Sequence, residues 1–338
     1  MPRVSILLPC RNAEEHLPEA IASLAAQTFR DFEVVAVDDG SADGTFAELF
    51  TWAQHDGRVR VLRTGASARG AGLVPALATA LSGARGELVA RMDADDIAEP
   101  ERLAKQVALL DQRPGIAACG TGVRYFPREH VRGGARRYER WLNALVEPDE
   151  IARDIFVECP IAHPTLVVRR AALLAVGGYR DLDWPEDYDL ILRLWASGYR
   201  LAKVPDVLHH WRDRSTRASR TDRRYSPAAF RRCKVHFLRR TLLAGREGAV
   251  VWGAGPVGKS FARELARQGV TLRAFVDLDR RKIGQTIHGA PVITPAEIDR
   301  FRSAVALAAV GSPGAREQIR GELRQRGWKE LEDFCAVA

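Results

Sequence analysis

The chain lacks most of the features that name a protein at sight. No apolar run approaches eighteen residues, so no transmembrane helix is expected. The opening "MPRVSILLPCRNAEEH" has an apolar stretch too short for a secretion signal and runs at once into charge, so it reads as a buried first strand. Cysteine is sparse: Cys10, Cys119, Cys159, Cys233 and Cys335 are scattered, with no C-x-x-C pair. An odd, dispersed set argues against a disulfide framework or a zinc site and fits a reducing cytoplasm. Only 6 of the 51 basic residues are lysine, and aromatics make up 7% of the chain. They are not interleaved with the basic runs, as a nucleic-acid stacking surface would need, so no nucleic-acid partner is expected. Internal repeats and low-complexity tracts are absent.

What is present suits two α/β domains. The chain has 338 residues, 46% of them apolar, and a net charge of +8, which favours anionic partners such as nucleotides or lipid head groups. The first hundred residues alternate strand and helix. "VSILLP" (4–9), "FEVVAVDDGS" (32–41), "RVRVLRT" (58–64) and "GELVARMDADD" (86–96) read as strands, with helices after Asn12, a candidate cap, and over about 72–82. This rhythm predicts a mainly parallel sheet, whose ligands bind where strands end. From 100 to 205 the pattern is mixed. Helices are expected over "PERLAKQVALLDQRP" and "PEDYDLILRLWASGY", and a strand followed by a helix over "HPTLVVRRAALLAVGGY". Residues 212–240 hold eleven Arg or Lys against two Asp. They include a helix opened by Ser226-Pro227, with an apolar face on Phe230, Cys233, Phe237, Thr241 and Leu242, and Arg231, Arg232, Arg239 and Arg240 on the other side. The domain boundary is placed near 245: residues 1–245 form the first domain, with 212–245 a basic helical linker region, and 246–338 the second.

Three acid clusters fall at strand or helix ends: Asp38-Asp39, Asp93-Ala94-Asp95-Asp96 and Glu186-Asp187. Surface turns collect Asp and Gly, so any one pair is unremarkable alone. Together they make a working set. A D-x-D turn suits a hard divalent cation that shares its shell with water and phosphate. Another carboxylate can accept an N–H from a nucleotide base, and a third, opening a helix, can deprotonate a hydroxyl. Such parts would serve group transfer from a nucleoside diphosphate.

Four segments carry a resemblance: "VSILLPCRNAEEHLPEAIASLAAQTFRDFEVVAVDDGSADGT" (4–45), "ARGELVARMDADDIAEPERLAKQ" (84–106), "HPTLVVRRAALLAVGGYR" (163–180) and "WPEDYDLILRLWASG" (184–198). In order and spacing over about 200 residues they resemble the family 2 glycosyltransferases with the GT-A fold. The resemblance implies that Pro9 and Asp39 line the base pocket, with Arg11 and Asn12 beside them, and that Arg69 and Arg212 reach the nucleotide. It implies that Asp93 lies near the ribose and shares with Asp95 the Mn²⁺ or Mg²⁺ that bridges the diphosphate, while Asp96 supports the turn. Asp187 would be the catalytic base and Glu186 would orient the acceptor or the loop. Transfer with inversion would follow, from a nucleotide sugar to a sugar or lipid-linked sugar acceptor in bacterial polysaccharide or glycoconjugate synthesis. Asp39 pairing with a base N–H favours UDP or dTDP, although guanine also offers donors. Two positions depart from the family pattern: Ala78 stands where relatives often carry Asn, and Arg214 where they often carry His. The role of that His would pass to Arg214 or to His209-His210. His163, in "CPIAHPT", is either an acceptor-side residue or a structural histidine. The basic helix is a solvated linker, a docking surface, or a peripheral contact with an anionic membrane.

The most motif-dense stretch lies elsewhere. "VVWGAGPVGKSF" (250–261) fits a dinucleotide turn on Gly253, Gly255 and Gly258, and also spells a P-loop ending in Lys259-Ser260. Asp277 falls 24 residues after Gly253, where a dinucleotide fold places its ribose-binding acid, which favours a Rossmann-like domain. The segment resembles the small nucleotide-binding-like domains of sugar-modifying enzymes, such as some sugar acyltransferases. That implies a site for NAD or another nucleotide, or only a scaffold. A rival reading makes this domain the functional part, as a nucleotide-responsive binding protein, and a third joins both activities in one bifunctional chain.

Overall fold

A computed structural model describes residues 1–65, 70–214 and 217–338, with Ala218 defined in its backbone alone. Internal contacts divide the chain into two units. The first comprises 1–151, 160–182 and 189–221, and the second 152–159, 183–188 and 222–338. The basic region 212–245 is thus shared between them. The break in pattern at "LAGREGAV" marks where the second strand series starts, whereas the cohesion of the second unit starts earlier. The helix Pro227–Arg240 packs on the helix Pro256–Arg267.

The first unit is built on eight strands: β1 (Val4–Cys10), β2 (Phe32–Asp38), β3 (Val59–Arg63), β4 (Leu88–Arg91), β5 (Ile97–Ala98), β6 (Ile116–Phe126), β7 (Val167–Arg169) and β8 (Arg200–Arg212). Their order in the sheet is β3-β2-β1-β4-β7-β6-β8-β5. The β3-β2-β1-β4 half is parallel, as alternating strand and helix dictate. β7 then runs antiparallel to both β4 and β6, so the sheet is mixed rather than uniformly parallel. β1 and β2 are buried almost throughout, as near-continuous apolar runs in a parallel sheet require. Leu7, Leu8, Val34 and Val35 are fully covered; truncating such a leucine to alanine costs about 2–5 kcal/mol. Register sets the site: Cys10 lies opposite Asp38, and Leu7 opposite Arg91. The residues following β1, β2 and β4 therefore emerge at one edge.

Two long strands, β6 and β8, were not legible in the mixed central pattern. They pair parallel across irregularities near Gly122. β5 pairs antiparallel with β8, Ile97 opposite His210 and Ala98 opposite His209, which brings the turn after β4 against the end of β8. Asn12 does not cap the first helix. It takes a left-handed conformation (φ 48°), its side-chain oxygen accepts the Ala42 N–H at 2.9 Å, and the helix Leu17–Ala25 begins after His16. The short polar side chain of Asn tolerates this conformation and serves here to tie two turns together.

The second unit carries β9 (Ala249–Trp252), β10 (Leu272–Val276), β11 (Thr286–Ile287), β12 (Ala290–Ile293), β13 (Val305–Ala308) and β14 (Phe334–Ala336), in the order β11-β12-β10-β9-β13-β14. Only β11 runs antiparallel, and the rest follow the doubly wound Rossmann order. Trp252 is level with Val276 and Ala308, so the turns after β9, β10 and β13 also share an edge. Ser226 caps the helix Pro227–Arg240 by accepting the Ala229 N–H. That helix buries Cys233 and Phe237, as its spacing predicts, and also Lys234, whose ammonium donates to the carbonyls of Val157 (2.7 Å) and Val337 (3.1 Å). All five cysteines are buried free thiols.

Candidate active site

The turn after β4 gathers the densest charge of the first unit. Ligand atoms of Asp93, Asp95 and Asp96 lie within 4.8 Å of one another. Short spacing forces this proximity: the three acids fall within four residues of a bend whose backbone closes from the Asp96 N–H to the Asp93 carbonyl. Like charges this close raise one another's pKa, and burial adds to the effect. Burial, then Asp96 and Asp93, push Asp95 up to about 6. Burial and Asp93 push Asp96 up to about 8. Asp93 goes the other way: burial would raise it, but Arg91 and the other cationic groups around it hold it below the usual carboxylate range. The buried Arg91 guanidinium lies 2.5 Å from the Asp93 carboxylate.

The end of β8 supplies the partners of the turn. Asp96 accepts the Arg212 backbone N–H (2.8 Å) and pairs with His209 Nε2 (2.8 Å). Burial and then Arg102 hold His209 well below its ordinary pKa, so it is neutral. With Arg102 facing Nδ1 at 3.5 Å, the ring proton lies on Nε2 and is donated to Asp96. Arg212 donates its Nε–H to the Asp95 carbonyl and pairs with Glu19. Arg214, the residue that replaces histidine in the family pattern, lies 2.6 Å from the Asp95 carboxylate. Three carboxylates, two carrying raised pKa values and two already drawing an arginine, form a donor set that suits a hard oxygen-bound cation.

Asp39 sits in a separate cradle at the end of β2. It accepts the Thr64 hydroxyl (2.7 Å) and the N–H groups of Ala71 (2.7 Å) and Gly72 (2.8 Å). A carboxylate has about four acceptor positions, and the described residues fill three of them. Gly70 must be glycine: its φ is +68°, and a Cβ would lie 2.6 Å from the Asp39 carboxylate and 2.9 Å from Arg11 Nη1. Arg11 therefore stands beside this cradle, and Pro9, next to the last residue of β1, lies opposite Val37. Arg69 lies outside the described residues.

Reading the sequence did not single out Arg91 or Arg217. Arg217 stacks over Trp211 at 4.3 Å and contributes positive charge to Asp93, Asp95 and Asp96. A buried arginine beside acids was a signal for the first; the second depends on a non-local contact. His163 is buried, and its Nε2 lies 3.3 Å from the Tyr179 hydroxyl. Burial, followed by Arg91, drives its pKa down to about 3, so it remains neutral in the structure.

Glu186 and Asp187 belong to the second unit, at the start of the helix Glu186–Ala196. Both carboxylate oxygens of the buried Glu186 accept the Tyr225 hydroxyl (2.8 and 2.7 Å). Asp187 accepts the Tyr188 N–H (2.7 Å). Burial, with Glu186 and Glu158 adding repulsion, lifts Asp187 well above the ordinary carboxylate pKa, a property that general bases working near neutral pH require. In the same unit, Gly253, Gly255, Gly258 and Asp277 meet at the sheet edge. Asp277 accepts the Ala254 N–H (2.8 Å) and pairs with Lys282 (3.0 Å). Lys259 and Ser260 do not form a P-loop: the Ser260 hydroxyl is turned back onto the Pro256 carbonyl (2.8 Å) within the helix.

The α/β sheet, with the aspartate turn after β4 and the Asp39 cradle after β2 at its strand ends, has the form of a GT-A-type sugar transferase. Residues 5–177 match the model of glycosyl transferase family 2, and the chain belongs to that family. It is 32% identical over 229 residues to the putative glycosyltransferase EpsE of Bacillus subtilis strain 168, covering 67% of this chain and 78% of that protein. It is 32% identical to the amylovoran biosynthesis glycosyltransferase AmsE of Erwinia amylovora, over 60% of this chain and 74% of that one. The fold is similar to S. aureus TarS in complex with UDP-GlcNAc (TM-score 0.57, 22% identity, 70% of this chain and 66% of that one). It is also similar to the mannosyltransferase PcManGT of Pyrobaculum calidifontis in complex with GDP-Man and Mn²⁺ (TM-score 0.53, 18% identity, 98% of this chain and 82% of that one). Among the described residues no helix is long and apolar enough to cross a membrane.

Proposed function

We propose that the chain transfers a sugar from a nucleoside-diphosphate sugar to a hydroxyl acceptor, with inversion, in the synthesis of a bacterial polysaccharide or glycoconjugate. The observation that carries this is the Asp93-Asp95-Asp96 turn, with its ligand atoms within 4.8 Å at the end of a parallel strand. Asp93 and Asp95 would hold a divalent cation, Mn²⁺ or Mg²⁺, which when bound neutralises the charge developing on the diphosphate leaving group. Asp95, paired with Arg214 here, would give up that partner to hold the ion, and Asp96, oriented by His209 and Arg212, would keep the turn in shape. The fourth acceptor position of Asp39 takes an N–H of the base, which favours UDP or dTDP, with Arg11 and Pro9 beside it. Asp187 takes the proton of the attacking hydroxyl while Tyr225 holds Glu186 in place. Asp187 acting as a single base fits one in-line displacement with inverted stereochemistry at the anomeric carbon.

The names of two kinds of relative support this donor class: UDP-GlcNAc is bound to one structural neighbour and GDP-Man to another. The proposal does not extend to the membrane. Of the four arginines on the helix Pro227–Arg240, Arg232 donates to the Asp183 carbonyl and Arg239 to that of Gln268. A panel of nucleotide sugars with Mn²⁺, assayed for released nucleoside diphosphate, tests the reading. Turnover of one donor supports it; no release and no binding of UDP, GDP or dTDP with metal present contradicts it.

A further inference from the structure

The sheet edge of the second unit has no part in the transfer proposed above, yet it is built as a binding crevice. The chain leaves β9 toward β10 on one side and β13 toward β14 on the other, so the edge between β9 and β13 is a topological switch point. A cavity of about 790 Å³ opens there, lined by the turns Gly253–Pro256 and Ala309–Pro313 and flanked by Asp277 and Gln318. That is within the size of small-molecule sites, about 300–1,000 Å³.

The three glycines of the turn separate by cause. Gly258 is required by packing, since a Cβ would lie 1.7 Å from the Gly253 carbonyl oxygen. Gly253 has φ +112°, and a Cβ would come 2.7 Å from Val310. Gly255 has neither reason. Its φ is −87°, nothing lies within 4 Å of its Cβ position, and it faces the cavity. What a side chain at Gly255 would obstruct is the cavity itself. A second observation is independent of the turn. Val257 (39% exposed) and Leu278 (74% exposed) are large apolar side chains left in solvent, and both line this cavity. Small-molecule sites are concave and mostly apolar with a few converging polar groups, and these two side chains give the cavity that character.

The chemistry of the walls narrows the ligand. The helix Pro256–Arg267 has no side-chain cap, so its first N–H groups and its dipole are free for an anion beside Gly255. Asp277 supplies an acceptor suited to a ribose hydroxyl, and Lys282 adds positive charge. Val257 and Leu278 offer apolar surface to a planar base. We propose that this crevice binds a ribonucleoside pyrophosphate, with the pyrophosphate over Gly255, the ribose on Asp277, and the base against Val257 and Leu278. A dinucleotide such as NAD and a nucleotide sugar share this chemistry.

Isothermal titration of the full chain in EDTA, with NAD⁺ in one arm and UDP-glucose or UDP in the other, tests it. The expected result is one equivalent per chain in one arm, which identifies the source. Gly255→Val should abolish that equivalent while keeping the thermal midpoint of the unliganded protein. Asp277→Asn should weaken it about tenfold. Should Gly255→Val fail to fold, Leu278→Glu at a solvent-exposed position gives the same readout. Asp95→Asn, in the first unit, should leave the equivalent in place, so an EDTA-resistant site without any Mn²⁺-dependent nucleotide binding would contradict the donor reading and support this one. No binding in either arm, or an equivalent that survives Gly255→Val and Leu278→Glu, overturns the proposal.

Discussion

Both units collect their polar groups where parallel strands end, but by opposite means. In the first, the turn after β4 crowds three carboxylates together: burial and mutual repulsion raise Asp95 to about 6 and Asp96 to about 8, even with Arg91 paired to Asp93 and Arg214 to Asp95. In the second, the turn after β9 is bare backbone. Asp277, just after β10, is the acid beside it: burial would raise its pKa, yet the N–H groups of Asp279 and Ala254 and the Lys282 ammonium hold it below the usual range. Crowded carboxylates that hold one another's pKa up suit a cation, whereas a single paired acid beside a glycine turn suits a neutral or anionic ligand. Under the proposed function the more conspicuous motif is not the one assigned to the transfer, and the shared α/β form does not distinguish them.

The largest effect expected from breaking this contrast is at Asp187. Asp187→Asn should lower the transfer rate by about 10²–10⁴-fold, the usual worth of a general base, with donor binding retained. Full activity in rapid-quench assays would reject the base assignment. Next is Asp96→Ala. It leaves the two proposed cation ligands intact but removes the carboxylate that His209 and Arg212 orient, so Mn²⁺ affinity should fall about 10–100-fold by calorimetry. An unchanged affinity would show that the turn holds its shape unaided.

In the second unit the corresponding perturbation acts on stability. Gly258→Ala drives a methyl into the Gly253 carbonyl and should cost about 1–3 kcal/mol, read as a lower denaturant midpoint, because overpacking strains a fitted contact. A wild-type midpoint would mean that the helix can slide on its strand.

The smallest effect is one of pH, and the two units should show opposite signs. Asp95 and Asp96 have folded pKa values above the unfolded value of 3.8, so they contribute stability at low pH that is lost as pH rises through about 6 and about 8. Mn²⁺, binding the carboxylates, should therefore raise the melting temperature more at about pH 9 than at about pH 5. Asp277, with a lowered pKa, contributes stability above the unfolded value that is lost as pH falls through its folded value. A Mn²⁺ shift that is flat with pH would contradict the raised values.

The parts legible from sequence were those set by local pattern. The parallel strands β1, β2 and β9 are short apolar runs, β2 ended by acids and β9 by glycine, and the acid turn and glycine turn each lie within a dozen residues. The illegible parts depend on distant pairing. β6 and β8 lie some eighty residues apart, and Gly120 and Gly122 interrupt the alternation that would mark a strand. The Arg214–Asp95 and Tyr225–Glu186 contacts join segments that no spacing rule connects. Asn12 was misread because its side chain can cap a helix or stabilise a left-handed turn, and only the neighbouring Ala42 N–H decides which.

The central claim is that the aspartate turn of the first unit carries the transfer. The most direct test is nucleoside-diphosphate release by the full chain with its donor and Mn²⁺, compared with Asp95→Asn under the same conditions. The account predicts metal-dependent release by the native chain, and its loss together with Mn²⁺-dependent nucleotide binding in Asp95→Asn. Wild-type release by Asp95→Asn, or release by the native chain that EDTA leaves unchanged, would contradict it.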